Sequence, residues 1–381
     1  MPRVRVLVVD DSVVVRRLVT DALSSDARCE VVGSAANGKI ALAKISQVNP
    51  DIVTMDIEMP EMDGLECLAA LRKLYPKLPV IMFSTLTERA AAATLKALSL
   101  GATDYVAKPS AGGIEAAQQM VREQLLPKVL QFGSPAGLPR VLRPTPAPAV
   151  RSAAAKPLQP VRLLAIGCST GGPNALTALL ERFPARLPVP VVITQHMPPV
   201  FTRLLAERLR AHTRLPVSEA QGGEVLAPGD IWIAPGDHHL VLRRDGAAIK
   251  LALDDGPHEN SCRPAVDVMF RSVVQIYGGH VLALIMTGMG QDGLRGCEHV
   301  REAGGQIVVQ DEATSVVWGM PGYVAQAGLA DAILPLAQLA PELTRRMPGA
   351  APPATAAKAA VAPQAASASH HPVRSKSIPC P

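Results

Sequence analysis

The chain has 381 residues, of which 48% are hydrophobic and 19% are charged, and its formal net charge is +5. This composition excludes a wholly disordered chain, and the length corresponds to about two domains. Aromatic residues make up only 3%, which argues against a stacking surface for single-stranded nucleic acid. The basic residues are dispersed along the chain, so we expect no nucleic-acid partner.

The first 130 residues alternate short apolar runs with helical patterns. A β-α repeat of this kind predicts a parallel sheet covered by helices on both faces. Strands are predicted at 4–10, 29–36, 51–56, 78–84 and 102–109, and the first helices at 12–25 and 37–48. Residues 131–158 are rich in proline and alanine and predict a flexible linker between two domains.

Residues 159–346 resume the alternation and predict a second α/β domain. Strands are predicted at 161–167, 189–196, 230–235, 238–244, 280–287 and 305–311. Helices are predicted at 177–183, 200–212, 265–277 and 294–304. Residues 347–381 form a low-complexity tail without apolar periodicity, for which we expect disorder.

Several features place the chain in the cytoplasm. No run of about 18 apolar residues predicts a membrane span, and the N-terminus lacks the pattern of a secretory signal. The six cysteines lie far apart and form no C-x-x-C pair. Free thiols in a reducing compartment are therefore expected, and a zinc site or direct membrane insertion is not.

Acidic residues end two predicted strands of the first domain. Asp10 and Asp11 follow the first strand, and Asp56 ends the third. The carboxyl ends of parallel strands meet at one sheet edge, where three carboxylates favour Mg²⁺. Ser84 and Lys108 end the next two strands and supply a hydroxyl and an ammonium for a phosphoryl group on Asp56. Turn chemistry alone would explain one such aspartate.

The second domain opens with an apolar strand that runs into Gly167-Cys168-Ser169-Thr170-Gly171. This G-x-S-x-G pattern is typical of a tight strand-to-helix turn that exposes a nucleophilic serine. A purely structural turn is the simpler interpretation of the motif alone. Cys168 is a second candidate nucleophile beside Ser169.

A serine nucleophile needs a base and a group that orients the base. His196 ends the strand at 189–196, and Asp292 follows the strand at 280–287. We therefore expect Ser169, His196 and Asp292 to meet at one sheet edge. His239 and His258 are alternative bases, and a histidine in this setting is also a common core residue.

A competing interpretation uses Gly288, Gly290 and Gly293, which form G-x-G-x-x-G after a predicted strand. Asp311 ends the next predicted strand, about 20 residues on, where a ribose-binding acid would stand. These residues indicate a dinucleotide-binding effector domain as the alternative function. That interpretation leaves Ser169 and His196 without a role.

The segments VLVVDDS, DIVTMDIEMPEMDG and DYVAKPS resemble the receiver domain of two-component response regulators. The resemblance implies a flavodoxin-like fold in which Asp56 accepts a phosphoryl group from a histidine kinase. It further implies that Asp10, Asp11 and Asp56 bind Mg²⁺. Ser84 and Lys108 would contact the phosphoryl group, and we prefer Ser84 to the adjacent Thr85, which would point to the opposite face.

The segments IGCSTGGP, ITQHMPP, IAPGDHH, RPAVDVMF, IMTGMGQDG and VVWGMP resemble the catalytic domain of bacterial chemotaxis protein-glutamate methylesterases, the CheB family. The resemblance implies a doubly wound α/β domain that hydrolyses glutamate γ-methyl esters of chemoreceptors and deamidates receptor glutamines, without a cofactor. The triad would be Ser169, His196 and Asp292, with backbone N–H groups of Thr170 and Met289 holding the oxyanion. Cys168 and Ala265 stand where alanine and serine are expected, and the tail has no counterpart.

This layout predicts a mode of regulation. In the unphosphorylated chain, the first domain should cover the active-site edge of the second. Phosphorylation of Asp56 would change the local charge and favour the open arrangement.

Overall fold

The computed structural model of the protein describes residues 3–109, 113–134 and 159–347. Most of the predicted linker, residues 135–158, and of the predicted tail, residues 348–381, lie outside the described residues. The described chain forms two parallel sheets and one separate hairpin.

The first sheet has the order β2-β1-β3-β4-β5, and all neighbouring strands are parallel. Its strands are β1 Val4–Val9, β2 Cys29–Ala35, β3 Ile52–Asp56, β4 Val80–Ser84 and β5 Asp104–Ala107. This is the flavodoxin-like order, which confirms the predicted fold of the N-terminal part. The three central strands are almost continuously apolar because helices cover both faces of the sheet.

Six helices are described in this part, and the first four begin at polar caps. They are α1 Val13–Ser24, α2 Gly38–Val48, α3 Gly64–Leu74, α4 Glu88–Ser99, α5 Ile114–Met120 and α6 Leu126–Gly133, with a π-helical turn at Val121–Leu125 between the last two. Ser12, Asn37, Asp63 and Thr87 each accept a hydrogen bond from a backbone N–H in the first turn. Such caps fix the start of each helix directly after the loop that carries site residues.

The second sheet has seven parallel strands in the order β14-β13-β12-β6-β7-β9-β8. Its strands are β6 Leu163–Cys168, β7 Val191–Gln195, β8 Val217–Glu219, β9 Ile231–Ile233, β12 Val281–Ile285, β13 Gln306–Gln310 and β14 Ala332–Leu334. The strands after β6 (β7, β8 and β9) lie on one side of it, and the strands after β12 (β13 and β14) lie on the other side of the sheet. The carboxyl ends of β6 and β12 therefore border a topological switch point, where ligands bind in such sheets.

The predicted strand at 238–244 exists, but it is not part of the parallel sheet. β10 His239–Asp245 pairs antiparallel with β11 Ala248–Asp254 as a separate two-stranded hairpin. The alternation of apolar residues predicts a strand but not its partner, and the turn at Gly246 lets the chain return at once.

Six helices complete the C-terminal part: α7 Gly172–Leu180, α8 Phe201–Thr213, α9 Val266–Tyr277, α10 Leu294–Glu302, α11 Met320–Gln326 and α12 Leu336–Arg346. A short 3₁₀ turn at Gly278–His280 leads from α9 into β12. Within the three described ranges, every helix is too short or too polar to cross a lipid bilayer.

Candidate active site and phosphoacceptor site

Three neighbouring strands carry Ser169, His196 and Asp292 to the same edge of the second sheet. Ser169 follows β6, His196 follows β7, and Asp292 lies in the loop after β12. The backbone N–H of Ser169 donates to Thr287 O at 3.0 Å, and that of His196 donates to Cys168 O at 3.2 Å. These bonds continue the pairing of the strands into the loops and hold the three segments side by side.

His196 and Asp292 form a direct pair, with 2.7 Å between Nε2 and Oδ2. The buried carboxylate also accepts from the N–H groups of Val266 at 2.6 Å and Asp267 at 3.1 Å, at the start of α9. Ala265, where serine was expected, offers this helix no side-chain cap, and Asp292 supplies the acceptor instead. Burial alone would raise the pKa of Asp292, but these donors lower it, so the carboxylate stays ionised.

The imidazole of His196 has contacts on both nitrogens. Nδ1 lies 3.5 Å from Cys262 Sγ, while Nε2 is held by Asp292. Burial opposes the charged form, but the contacts with Cys262 and Asp292 outweigh this effect and raise the pKa of His196 above its ordinary value. Asp292 thus stabilises the cation that a general base becomes when it takes a proton.

Ser169 follows β6, the strand between β12 and β7, and in the described ranges it makes no side-chain hydrogen bond to this pair. Among the described residues, Ser169 Oγ donates to no histidine, although a Cβ on Gly288 would lie only 2.9 Å from Ser169 Cβ. The serine turn and the loop after β12 are therefore in van der Waals contact. Catalytic hydrogen bonds often form only when substrate binds, so the lack of a bond between Ser169 and His196 is compatible with a nucleophilic role for the serine.

Two backbone N–H groups border the serine and lack partners. Within the part of the chain that the structure describes, the N–H groups of Thr170 and Met289 donate no hydrogen bond. Thr170 directly follows Ser169 in the chain, and Met289 directly follows Gly288, which packs against the Ser169 side chain. Free donors beside a nucleophile are the chemical requirement for holding an oxyanion.

The structure also places the alternative nucleophile, Cys168, and the alternative bases, His239 and His258. Cys168 is buried, its thiol contacts Gln195 Oε1 at 3.1 Å, and burial raises its pKa, which disfavours a thiolate nucleophile. His239 is buried, with Nε2 at 3.0 Å from Pro257 O and Nδ1 accepting from Ala265 N at 3.1 Å. His258 is exposed, with no hydrogen bond within the described ranges.

A second cluster of polar side chains lies at the carboxyl ends of the strands of the first sheet. Carboxylate oxygens of Asp10, Asp11 and Asp56 lie within 4.8 Å of one another. Lys108 Nζ pairs with Asp10 Oδ2 at 2.7 Å and Asp56 Oδ2 at 2.8 Å. Burial raises the pKa of Asp56 despite Lys108, and the pKa of Lys108 is raised because its two ion pairs outweigh its own burial. A second cation at these oxygens would relieve the crowding of negative charge.

Ser84 and Thr85 occupy different environments. Ser84 is fully buried and its hydroxyl donates within the chain, to Thr85 O at 3.2 Å or Ala90 O at 3.4 Å. Thr85 is exposed, and its hydroxyl lies 3.4 Å from that of Thr87. Both residues line the cleft that Asp56 and Lys108 border.

Side chains of β5 in the first sheet contact residues of the C-terminal part. Thr170 Oγ1 donates to Asp104 Oδ2 at 2.9 Å, and the same carboxylate pairs with Lys128. The neighbouring Tyr105 stacks on Phe201 of α8, with ring centroids 5.0 Å apart and an interplanar angle of 7°. The residue next to Ser169 is thus held by the strand that precedes Lys108.

Helix α4 extends this interface onto α7 and α8. Asn174 Nδ2 donates to Leu98 O at 2.9 Å, and Arg208 donates to Leu95 O at 2.6 Å. Arg203 and Glu88 add an exposed ion pair at 2.8 Å. Buried apolar residues form one continuous cluster across this contact.

Comparison with known proteins agrees with this arrangement. A family model described as CheB methylesterase matches residues 164–343, and one described as response regulator receiver domain matches residues 6–130. A protein-glutamate methylesterase/protein-glutamine glutaminase of Trichodesmium erythraeum is 53% identical over 351 residues, which cover 91% of this chain and 100% of the relative. The chain belongs to the CheB methylesterase family.

A second relative and one solved structure are also similar to this chain. A protein-glutamate methylesterase/protein-glutamine glutaminase of Nocardioides sp. is 52% identical over 355 residues, covering 91% of this chain and 96% of the relative. The crystal structure of the Thermotoga maritima CheB methylesterase catalytic domain is 40% identical, covers 49% of this chain and 98% of its own, and has a TM-score of 0.47.

The dinucleotide interpretation gains no support within this CheB family chain. A Cβ on Gly288 would lie 2.3 Å from Met320 Sδ, and one on Gly293 2.6 Å from the Ile285 side chain. The carboxylate of Asp311 accepts from the Thr314 N–H at 3.0 Å within its own loop. Close packing therefore accounts for glycine at positions 288 and 293. The Asp311 carboxylate is already engaged in a hydrogen bond within its own loop.

Sequence reasoning missed several residues around the CheB family site. Asn260 and Asp267 lie against Asp292, Cys262 contacts His196, and Asp104 contacts Thr170. An asparagine in a turn and an aspartate at a helix start are common for local reasons, so neither carried a distinctive signal.

Proposed function

We propose that this chain is a phosphorylation-controlled protein-glutamate methylesterase that also deamidates glutamines, with methyl-accepting chemoreceptors as substrates. The observation that carries the proposal is the buried His196–Asp292 pair, 2.7 Å apart, on the sheet edge that also presents Ser169. Family membership at 53% identity over nearly the whole chain supports the same substrate class.

In the proposed reaction, Nε2 of His196 keeps its proton in the bond to Asp292, so Nδ1 is the basic nitrogen. Nδ1 takes the Ser169 hydroxyl proton as Oγ attacks the side-chain ester carbonyl. The N–H groups of Thr170 and Met289 hold the oxygen that becomes negative. His196 gives the proton to the leaving ester oxygen, which departs as methanol, or to the leaving amide nitrogen of glutamine, which departs as ammonia. Water then hydrolyses the acyl-enzyme.

The experiment that tests this function measures methanol release from receptor-containing membranes methylated in advance, and ammonia release from receptors that retain glutamine. The expected result is release of both products by the purified full-length chain. Receptors whose methylatable glutamates are replaced by alanine serve as the control. Methylated receptors that keep all their methyl groups in the presence of the chain would overturn the proposal.

For control of this activity, we propose that a histidine kinase of the chemotaxis system phosphorylates Asp56. Oxygen ligands suit Mg²⁺, and the close carboxylates of Asp10, Asp11 and Asp56 fit such an ion. When bound, the ion would neutralise charge on the phosphoryl group. Lys108 and Ser84 would then contact the phosphoryl oxygens. For this, Lys108 would give up its ion pairs with the carboxylates of Asp10 and Asp56.

Removal of divalent cations separates the two halves of the proposal. We expect EDTA to abolish stimulation of methanol release by a small phosphodonor, because phosphorylation of Asp56 requires the ion. The unstimulated rate should remain within about twofold, since the serine chemistry uses no metal. Added Mg²⁺ should restore stimulation. Loss of the unstimulated rate on chelation would instead place a metal in the esterase site.

The contacts of α4 and β5 with α7 and α8 support occlusion as the resting arrangement. We expect Arg208→Ala to raise the unstimulated rate by about tenfold or more, because a charged hydrogen bond to Leu95 O contributes about 1.5–3 kcal/mol to the closed state. Arg210→Ala, at an exposed position on the same helix, is the matched control and should change little. An unchanged rate in Arg208→Ala would argue against occlusion through this interface.

A further inference from the structure

A tight turn stands directly over the proposed acid–base pair. Glu259 and Cys262 exchange backbone hydrogen bonds of 3.1 and 2.9 Å, which makes Asn260 and Ser261 the two central residues of a hairpin turn. Both have positive φ, 52° and 61°. Asparagine tolerates this conformation better than most residues, so the turn alone could explain its presence.

The Asn260 side chain does more than close the turn. Its Nδ2 lies 2.9 Å from Asp267 Oδ2 and 2.9 Å from Asp292 Oδ1. A primary amide has two N–H groups, so it can donate one to each carboxylate. Both carboxylates are almost fully buried, with 1% and 2% exposure, so they depend on hydrogen-bond donors from the protein.

Asp267 depends on this bridge. Its Oδ1 accepts from Gly296 N at 2.6 Å, whereas Oδ2 has Asn260 as its hydrogen-bond donor among the described residues. Burial and the charge of Asp292 raise the pKa of Asp267 to about 6, and the bonds from Gly296 and Asn260 oppose that rise. Without the Asn260 amide, the carboxylates of Asp267 and Asp292 would lie close together with no donor between them, and Asp267 Oδ2 would lose its hydrogen bond.

The turn is anchored to the helix that holds Asp292. Arg271 of α9 makes two hydrogen bonds of 2.6 Å to Glu259, at the base of the turn. The first N–H groups of the same helix hold the Asp292 carboxylate. At the other end of the turn, Cys262 Sγ contacts His196 Nδ1 at 3.5 Å. The turn and α9 together therefore contact both the acid and the base.

We propose that Asn260 is a positioning residue of the esterase, whose amide bridges the carboxylates of Asp267 and Asp292 and thereby aims Asp292 at His196. The proposal rests on the proposed function for its effect on turnover. It places Asn260 outside direct contact with substrate, so its loss should lower kcat and leave KM nearly unchanged.

Asn260→Gly tests this role against the turn alone. Glycine adopts positive φ without strain, so the turn survives while the amide is lost. We expect kcat for methanol release to fall about 10- to 100-fold, because small misplacement of a catalytic group has effects of this size. Asn260→Asp keeps the turn preference but adds a third carboxylate, and it should lower kcat as well. Ser261→Gly, at the adjacent turn position, is the matched control and should retain the wild-type rate.

A second readout does not depend on turnover. The proton shared by His196 and Asp292 should give a low-field NMR resonance that His196→Gln lacks. We expect Asn260→Gly to shift or broaden this resonance, and Ser261→Gly to preserve it. If the wild-type chain releases no methanol, the proposed function fails, and the resonance still decides the positioning role. A resonance in Asn260→Gly identical to that of the wild type would overturn the positioning role, whatever the rates.

Discussion

Replacement of Ser169 by alanine is expected to lower methanol release by about 10⁴-fold or more, the largest effect of any single substitution considered for this chain. The attacking oxygen is lost, while the His196–Asp292 pair and the free N–H groups beside it remain. Steady-state release of methanol from methylated receptor measures the effect.

Cys168→Ala is the matched control, because the expected family residue at this position is itself alanine. Its thiol is buried against Gln195, so the substitution should reduce the rate by less than about tenfold through packing alone. The opposite result, with Ser169→Ala near the wild-type rate and Cys168→Ala inactive, would transfer the nucleophilic role to the cysteine.

Replacement of Asp56 by asparagine is expected to abolish stimulation by a phosphodonor. If the closed arrangement holds about 99% of unphosphorylated molecules, full opening would raise the rate by up to about 100-fold, and Asp56→Asn should lose that whole factor. The amide cannot accept the phosphoryl group, although it keeps the size of the side chain. Rates with and without the phosphodonor, at fixed Mg²⁺, give the measurement.

Asp21→Asn serves as the control, since Asp21 is an exposed carboxylate on α1 of the same sheet layer. It should keep full stimulation. Persistence of stimulation in Asp56→Asn would show that another residue accepts the phosphoryl group, with Asp10 and Asp11 the nearest carboxylates.

Strands and their ends were the most predictable part of this chain. Apolar runs such as 161–167 and 189–196 match buried strands. The carboxyl ends of parallel strands lie at one edge of a sheet, and this rule correctly predicted that His196 and Asp292, 96 positions apart, lie close together. The helix predicted at 12–25 is also present, as α1 with its cap at Ser12. These features follow from local patterns and from one general property of parallel sheets.

Side-chain partners were less predictable. The run at 238–244 has the pattern of a sheet strand, yet it pairs within a hairpin because period-two alternation carries no information about partners. The bond between Asp104 and Thr170 joins residues 66 positions apart and depends on how two sheets pack. Asn260 has an ordinary reason to occupy a turn, which concealed its contacts with two carboxylates.

The short strand β5 has a consequence for engineering. Asp104 and Tyr105, which touch the C-terminal part, stand only a few positions before Lys108, a distance of about 13 Å along an extended chain. With the role proposed for Lys108, the phosphoryl contact and the interface contacts would lie within one five-residue segment. We expect a chimera that joins a foreign receiver to the esterase to be phosphorylated without stimulating methanol release, and transfer of residues 104–108 to restore the stimulation.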